Sequence, residues 1–517
     1  MNHPDSSAAL SRAARARSER LSELAQAIWW AGVAAVESAR LVANCIRCDG
    51  ARLTIGDWTF DTRHLKRVVV VGAGKAGGGM ARGAREALAS LGTSIPVTGW
   101  VNVPEGCGGP LPGIHLHEAR PAGVNAPTAR VVAGTREILR LVESCGPDDL
   151  CLCLISGGGS ALLALPHPSI TLAEQVAAIE FLASQGANIE QLNTVRKHLS
   201  QVKGGQLARA CRGPMASLII SDVLGDPLEV IASGPTSQDR TTPGEAESIL
   251  REFDPEQRWI APAIHQLIRA RVLAKTRADE RGGQDPSLPA NQRQFVIGNI
   301  QVAIDAAADF ARQMGWKTWI NHPRNLEGSA EAVGRQLLAP VGAAISASAA
   351  GELASYARQP CPALPDSFTR LPALESLPQD VSFPGWCWIS GGEPVVRLAE
   401  PSLRGLGGRN QQLVLAAAAD WQQRIRELGQ EVVGNFEFCL LSGGTDGEDG
   451  PTDAAGAWLD GELMQRSAAL GLDPAPYLER NDAYHFFRQT GGLLQTGPTG
   501  TNVCDLRVGL LRFALRD

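Results

Sequence analysis

A lysine stands inside a glycine-rich loop of this 517-residue chain, directly after an apolar run. The run covers residues 68–71, and the loop reads Gly72-x-Gly74-x-x-Gly77, with Lys75 between the last two glycines. This spacing is typical of a dinucleotide-binding turn, in which the N-terminus of a helix meets phosphates. A cation among backbone N–H groups suits a phosphoryl group in transfer better than a bound pyrophosphate. The next apolar run also lacks the usual ribose-binding acid at its end, so the loop favours phosphoryl transfer.

Three further apolar runs end in the triplet Ser-Gly-Gly. The segments that start with this triplet are residues 156–160, 390–393 and 442–447, so they occur in both halves of the chain. In open α/β folds such loops lie at the carboxyl ends of strands, where ligands bind. One loop alone is also typical of a simple strand-to-helix turn, but the set predicts an anionic ligand. The predicted ligand-binding residues of the loops in the first half are Gly74, Ser156, Gly157, Gly158, Gly159 and Ser160.

A segment rich in hydrogen-bond donors follows at residues 193–205. Asn193, Arg196 and Lys203 belong to it, and Gly204-Gly205 comes directly after the lysine. Together these side chains predict an anion-binding surface. The alternative is a basic helix that faces solvent.

Two acidic residues follow apolar runs and are candidates for binding Mg²⁺ or for activating a hydroxyl group. Asp222 comes after the run 217–220, and acids at strand ends commonly bind Mg²⁺ or activate a hydroxyl group. Asp446 opens an acidic, glycine-rich segment that fails the EF-hand spacing, because its twelfth position is Ala457 rather than Glu. We interpret Asp446 as a candidate Mg²⁺ ligand. The alternatives are a helix cap at Asp222 and a solvated turn at Asp446.

An arginine begins a helical pattern in the second half of the chain. Arg409 follows Gly407-Gly408, and its planar guanidinium suits a bidentate contact with a phosphate or a substrate carboxylate. No Ser-His-Asp order stands out along the chain, so hydrolysis through a catalytic triad is not predicted.

Composition limits the classes of function. The net charge is −6 and basic residues are dispersed, which argues against binding to nucleic acid. The chain contains no apolar run long enough to span a bilayer, and its first residues have no hydrophobic signal core, so we expect a cytoplasmic protein. The eleven cysteines are scattered, and buried free thiols are expected in place of disulfides or a metal site.

Strand-like and helix-like segments alternate along the chain, which predicts an α/β protein with a parallel sheet. Residues 18–46 have helical periodicity, and residues 274–293 are polar and interpreted as a linker. A strand pattern at residues 294–298 then opens a second alternating region. We therefore predict two domains, residues 1–288 and 289–517.

The ordered motifs together resemble the class II glycerate kinases, the glycerate 2-kinase family, whose C-terminal segment is called MOFRL. The resemblance covers nearly the whole chain, with the MOFRL-like segment at about residues 386–511. The matching segments are VVVVGAGKAG, CLISGGGSALL, LNTVRKHLSQVKGGQLA, ISDVLGD, IASGPT, WISGGEPVV, GLGGRNQQLVLAAA, LLSGGTDGEDGPTDAAG, NDAY and TGPTGTNVCDLRV.

The resemblance implies a kinase that uses ATP and Mg²⁺ to convert D-glycerate to 2-phosphoglycerate. It implies a Rossmann-like N-terminal domain and a second α/β domain, with the active site in the cleft between them. The family's lysine and arginine match Lys75 and Arg409, and its two acids match Asp222 and Asp446. The expected partners are ATP and D-glycerate, without nucleic acid or membrane, and a homodimer is an open alternative.

The sequence departs from the family pattern at two positions of interest. Arg120 stands where the family usually has the histidine of Gly-His-Pro, and Cys504 replaces the second Asn of Thr-Asn-Val-Asn-Asp. These departures leave a kinase for a related small hydroxy acid as one alternative. The other alternative is an NAD(P)H-dependent hydroxypyruvate reductase, which the glycine spacing around Gly74 alone supports.

Overall fold

The computed structural model describes residues 20–91, 95–121, 126–281, 287–321, 328–359, 362–373, 385–429 and 435–513. The chain divides into two compact units. The first unit is Glu37–Gly298, and the second is Asn299–Asp517 together with the N-terminal segment that ends at Val36.

The first unit contains a parallel sheet of six strands. The strands are Arg67–Ala73 (β4), Val97–Pro104 (β5), Ile114–Arg120 (β6), Asp149–Ile155 (β7), Met215–Ile220 (β8) and Gln292–Gly298 (β9). They lie in the order β6-β5-β4-β7-β8-β9. This is the strand order of dinucleotide-binding folds, in which the direction of winding reverses between the two central strands, here β4 and β7. A small antiparallel sheet precedes it, formed by Ile46–Cys48 (β1), Arg52–Ile55 (β2) and Trp58–Asp61 (β3).

Burial explains why the central strands are so apolar. All of β7 and all but the first residue of β4 are buried, as expected for parallel strands covered by helices on both faces. The α-helices of this unit are Ser38–Cys45, Gly77–Ala87, Ala129–Glu143, Gly159–Leu162, Leu172–Ser184, Ile189–His198, Gln206–Ala210, Pro243–Phe253 and Pro262–Glu280.

The second unit contains a mixed sheet of seven strands. The strands are Lys317–Asn321 (β10), Thr369–Arg370 (β11), Gly385–Gly392 (β12), Phe436–Gly444 (β13), Gly456–Asp460 (β14), Leu493–Leu494 (β15) and Asp505–Phe513 (β16). Their order is β11-β10-β12-β16-β13-β14-β15, and β10 and β12 form the parallel pair among these strands. The α-helices are Leu21–Ala35, Ile300–Gln313, Ala330–Ala349, Leu353–Ala357, Arg409–Leu428, Gly461–Ala469, Pro474–Glu479 and Ala483–Thr490.

The predicted fold class is confirmed, but two predictions about chain organisation are wrong. The strand expected to open the second region is β9, which pairs with β8 and completes the first sheet. The expected linker is largely regular structure, because the helix Pro262–Glu280 runs into it and β9 begins at Gln292. Residues 282–286 of that stretch lie outside the described residues.

The first helix of the described residues belongs to the second unit rather than the first. Leu21–Ala35 packs on the helix Ile300–Gln313 and on β13, and Trp29 Nε1 donates to the carbonyl of Gly443 at 3.3 Å. The division therefore differs from the predicted domains at residues 1–36 as well as at the 288/289 boundary. Within the described ranges, no helix combines the length and the apolar character that crossing a membrane requires.

Candidate active site

The loops that follow β4 and β7 are joined at the point where the strand order reverses. The two strands are parallel neighbours, so their carboxyl ends lie at the same edge of the sheet. The backbone N–H of Lys75 donates to the carbonyl of Gly157 at 2.8 Å. The N–H of Ala76 donates to Ser156 Oγ at 3.1 Å. Two loops that the sequence predicted separately therefore form one structure at the usual ligand-binding position of this fold.

Two glycines allow these loops to approach each other. Gly74 has φ +147°, and a Cβ there would lie 2.0 Å from Ser156 Oγ. Gly158 has φ +75°, and a Cβ there would lie 3.2 Å from Cγ of Lys75. The second contact shows that the side chain of Lys75 runs over Gly158, so this glycine leaves room for the predicted catalytic lysine.

A chain of polar side chains extends from the β7 loop. Ser160 Oγ lies 3.1 Å from Ser233 Oγ, which donates to Asn193 Oδ1 at 3.2 Å. Arg196 Nη1 donates to the same Asn193 oxygen at 3.2 Å. Lys203 Nζ donates to the carbonyl of Ser160 at 2.9 Å. The structure thus brings Ser160 of the β7 loop together with Asn193, Arg196 and Lys203, the residues of the predicted anion-binding surface.

This cluster lines a cavity of about 450 Å³. Its polar lining residues are Ser160, Gln175, Glu180, Arg196 and Lys203, and the rest of the cavity wall is apolar. That wall includes Ala161, Ala164, Val176, Ile179 and Ala183.

The two cations at the cavity favour a negatively charged ligand. Burial lowers the pKa of Lys203 to about 7, and the nearby charge of Arg196 adds to this effect. Burial also lowers the pKa of the Arg196 guanidinium. Neither side chain forms an ion pair with a carboxylate of the described residues. A bound anion would therefore stabilise both charges.

The backbone beside this cluster is strained. Ala232 and Ser233 both adopt left-handed conformations, with φ +53° and +62°, and Gly234 follows at +62°. Such conformations cost about 1–3 kcal/mol each outside glycine and occur mainly at functional sites. They hold Ser233 against Asn193 and place the carbonyl of Ala232 3.4 Å from Lys203 Nζ. The motif IASGPT was noted in the sequence, but no residue of it was predicted as a site residue.

Asp222 lies at the same edge of the sheet as the two glycine loops. It follows β8, which is the parallel neighbour of β7, and its side chain is half-buried. Its position agrees with a group that acts near the predicted phosphate and acid sites.

In the second unit, Arg409 binds carboxylates. Its Nε and Nη2 donate to the two oxygens of Asp505 at 2.6 and 3.0 Å, and Nη1 donates to Glu393 at 2.7 Å. Burial disfavours the guanidinium charge, but these carboxylates outweigh it and raise the pKa of Arg409. Three of its five N–H groups are used in this way, and no hydrogen bond to a described residue uses the other two. The bidentate contact that we predicted for a ligand is made here to Asp505, a carboxylate of the protein itself.

The acidic groups around Arg409 differ in their environment. Asp449 accepts the backbone N–H groups of Asn410 and Gln411 at 3.0 and 2.9 Å, which caps the helix that Arg409 begins. Burial nevertheless raises the pKa of Asp449 to about 7. Burial also raises the pKa of Glu393, and the charges of Asp505 and Asp446 contribute.

Asp446 is held in a turn beside this cluster. Its Oδ1 accepts the N–H of Glu448 at 3.0 Å. It influences the pKa of Glu393, so the two carboxylates interact electrostatically. The prediction missed Glu393, Asp449 and Asp505, although each lies in a motif that was quoted for the family resemblance.

The comparisons with known proteins agree with the quoted motifs. A family model described as a domain of unknown function, DUF4147, matches residues 24–269, and the MOFRL family model matches residues 386–505. The chain is 37% identical over 521 residues to the glycerate kinase of Bos taurus, covering 95% of this chain and 93% of that protein. It is 35% identical to the D-glycerate 2-kinase of Thermotoga maritima, covering 88% of this chain and 93% of that protein.

A solved structure shares the fold as well. The crystal structure of the glycerate kinase of Thermotoga maritima superposes with a TM-score of 0.69 and 32% sequence identity. The similarity covers 95% of this chain and 99% of that one.

Proposed function

Because this chain belongs to the glycerate kinase family, we propose that it phosphorylates D-glycerate with ATP, in the presence of Mg²⁺. We further propose that the C2 hydroxyl is the acceptor and that 2-phosphoglycerate is the product. The observation that supports this function most directly is the cation pair Arg196 and Lys203, which faces one cavity at the same sheet edge as the Lys75 loop. The cation pair suits the carboxylate of a small acid, and the Lys75 loop suits the phosphoryl donor.

The carboxylate of glycerate would bind Arg196 and Lys203, with the hydroxyl group of Ser160 beside them. Lys75 would stabilise negative charge on the transferred phosphoryl group, and the backbone N–H groups of the two glycine loops would orient it. Asp222 would orient or deprotonate the attacking hydroxyl. Each of these groups has the charge that its proposed role requires, and each lies at this edge of the first sheet.

Magnesium fits the acidic groups of the second unit. Mg²⁺ in kinases is usually held by one or two carboxylates together with phosphates of the nucleotide. Asp446 and Glu393 would supply these carboxylates, and the ion when bound would neutralise charge on the phosphates. The two remaining N–H groups of Arg409 would donate to a phosphate oxygen.

The direct test is an assay of the purified protein with D-glycerate, ATP and Mg²⁺, in which ADP release is measured. Phosphorus NMR of the product then distinguishes 2-phosphoglycerate from 3-phosphoglycerate. A parallel assay measures NADH oxidation with hydroxypyruvate. The proposal is wrong if ADP release does not depend on glycerate, or if hydroxypyruvate reduction is the faster reaction. The site of transfer alone is wrong if the product is 3-phosphoglycerate.

The role of Lys75 has its own test. We expect Lys75→Ala to lower kcat by roughly 10³-fold, the scale of a lost cation in phosphoryl transfer, with little change in Tm. The matched control is Lys66→Ala, because Lys66 is an exposed lysine that pairs with Asp148 just before β4 begins. A Lys75→Ala enzyme that keeps most of its kcat would refute the assignment.

The apolar wall of the cavity favours a second candidate, a kinase for a related hydroxy acid with a longer carbon chain. Each methylene group buried against Val176 and Ile179 would contribute about 0.8 kcal/mol, or roughly fourfold in affinity. The kcat/KM values for D-glycerate and for four- and five-carbon 2-hydroxy acids decide between the two candidates. A value that falls as the chain lengthens rules the second one out.

A further inference from the structure

Three buried cysteines converge in the first unit, away from the candidate active site. The sulfur atoms of Cys145, Cys151 and Cys211 all lie within 4.8 Å of one another. Cys145 and Cys151 are fully buried and Cys211 is 2% exposed. Within the described part of the chain, this is the one group of three or more potential metal ligands with such spacing.

The three thiols come from separate segments of the chain. Cys145 follows the helix Ala129–Glu143, Cys151 lies near the beginning of β7, and Cys211 follows the helix Gln206–Ala210, before β8 begins. Because β7 and β8 are parallel neighbours, the cluster lies at the amino ends of these strands. Cys151 precedes Ser156 by five residues, or about 16 Å along an extended strand, so the cluster is remote from the glycine loops.

The spacing suits a metal bound by three thiolates. With metal–sulfur bonds of about 2.3 Å, three sulfurs in a plane around one ion lie roughly 4.0 Å apart, so shifts of less than about 1 Å would bring all three thiolates onto the ion. Cu⁺ could be bound by the three thiolates alone, whereas Zn²⁺ would take a fourth ligand such as water. Soft thiolate ligands select ions such as Zn²⁺ and Cu⁺.

An ion pair between Arg67 and Asp149 lies beside the cluster. The Nη2 atom of Arg67 donates to the carbonyl of Ser144 at 2.7 Å, and Ser144 is the neighbour of Cys145 in sequence. The same atom lies 2.9 Å from Asp149. Three thiolates around Zn²⁺ carry a net charge of −1, and the Arg67 guanidinium would offset part of it, since Asp149 already balances much of the charge of Arg67.

We propose that Cys145, Cys151 and Cys211 form a structural binding site for one thiophilic closed-shell ion, Zn²⁺ or Cu⁺. Three S–H bonds break as the metal–sulfur bonds form, and the three protons pass to solvent. The ion would connect the segment before β7, β7 itself and the segment before β8. It would therefore stabilise the first unit without taking part in phosphoryl transfer.

The chain offers two controls for a test. Cys153 is 1% exposed and lies two residues from Cys151, on the same face of β7, but outside the cluster. Cys153→Ser therefore removes an equally buried thiol from the same strand. Cys45 and Cys48 are partly exposed and spaced as Cys-x-x-Cys, so a variant with both replaced by Ser excludes binding there.

The full-length protein is purified under reducing conditions, stripped with a chelator and titrated with Zn²⁺ or Cu⁺ against a chromophoric competitor. We expect one equivalent to bind and Tm to rise by roughly 5–10 °C at a hundredfold excess over Kd. Cys211→Ser and Cys145→Ser should lose this binding, while Cys153→Ser and the Cys45/Cys48 variant keep it. The metal content of the protein is also measured before the chelator is added. The ion found at that stage, Zn²⁺ or Cu⁺, is the native one.

X-ray absorption of the metal-loaded wild-type protein keeps the test independent of whether the variants fold. Three sulfur neighbours are expected. Two or fewer sulfurs, no binding by the wild type, or unchanged binding in a folded Cys211→Ser protein would overturn the proposal.

Discussion

Gly158 provides a way to move the side chain of Lys75 without replacing it. In Gly158→Ala, the new Cβ would lie 3.2 Å from Cγ of Lys75, so the lysine must shift by a few tenths of an ångström. A misplacement of 1 Å in an active site costs about 100-fold in rate, so the smaller shift predicts a decrease in kcat of about tenfold. The left-handed backbone at φ +75° adds a stability loss of about 1–2 kcal/mol.

Gly186→Ala is the matched control for backbone strain. Gly186 has φ +92°, and a Cβ there would meet nothing within 4 Å. We expect both variants to lower Tm by a similar amount, roughly 2–8 °C for a unit of this size. We expect only Gly158→Ala to lower kcat, measured as ADP release at saturating ATP and D-glycerate.

The two substitutions at Lys75 and Gly158 should also be non-additive, because they act through one side chain. In a Lys75→Ala background, Gly158→Ala should have no further effect on kcat. The reasoning is refuted if Gly158→Ala and Gly186→Ala lower kcat equally, or if the effect of Gly158→Ala is the same with and without Lys75.

Three other predictions follow from the observed contacts. Arg409→Lys should lose most of kcat and lower the free energy of unfolding by about 1.5–3 kcal/mol, because an ammonium cannot make both bonds to Asp505. A variant with wild-type kcat and an unchanged urea midpoint would contradict this. The ammonium of Lys203 is charged below its pKa of about 7 and neutral above it, so kcat/KM for D-glycerate should fall above pH 7. A Lys203→Arg enzyme should show no such fall, and identical pH profiles would disprove the role of Lys203 in binding the acid. Cys504 has φ +74°, a conformation that Asn adopts more readily, so Cys504→Asn should stabilise the protein by up to about 1 kcal/mol in urea unfolding; a lower stability would show that the buried amide costs more than the backbone gains.

The sequence was sufficient to predict the elements whose signals are local. The apolar runs before Lys75 and Ser156 predicted β4 and β7, because strands buried on both faces exclude polar residues over their whole length. Glycines marked the loops after them, because turns with positive φ and close backbone contacts exclude side chains. The ordered motifs identified the family, and the comparisons confirm it.

Other features depend on contacts between residues that are distant in sequence. Nothing local shows that β9 pairs with β8, or that the helix Leu21–Ala35 packs with a unit that begins more than 260 residues later. A hydrophobic pattern indicates that one face of a strand or helix is buried, but it does not indicate which other element packs against that face.

The same distinction holds for the individual sites. Residue types and spacing were enough to propose Lys75, Lys203 and Arg409 as site residues, since the chemistry of a cation in a glycine-rich or donor-rich segment is local information. The neighbours of such residues are determined by tertiary packing. Ser160 lies against Ser233, Arg409 pairs with Asp505, and three cysteines that are scattered in sequence lie together. These contacts form when whole strands and helices pack together, so local patterns in a single sequence do not predict them.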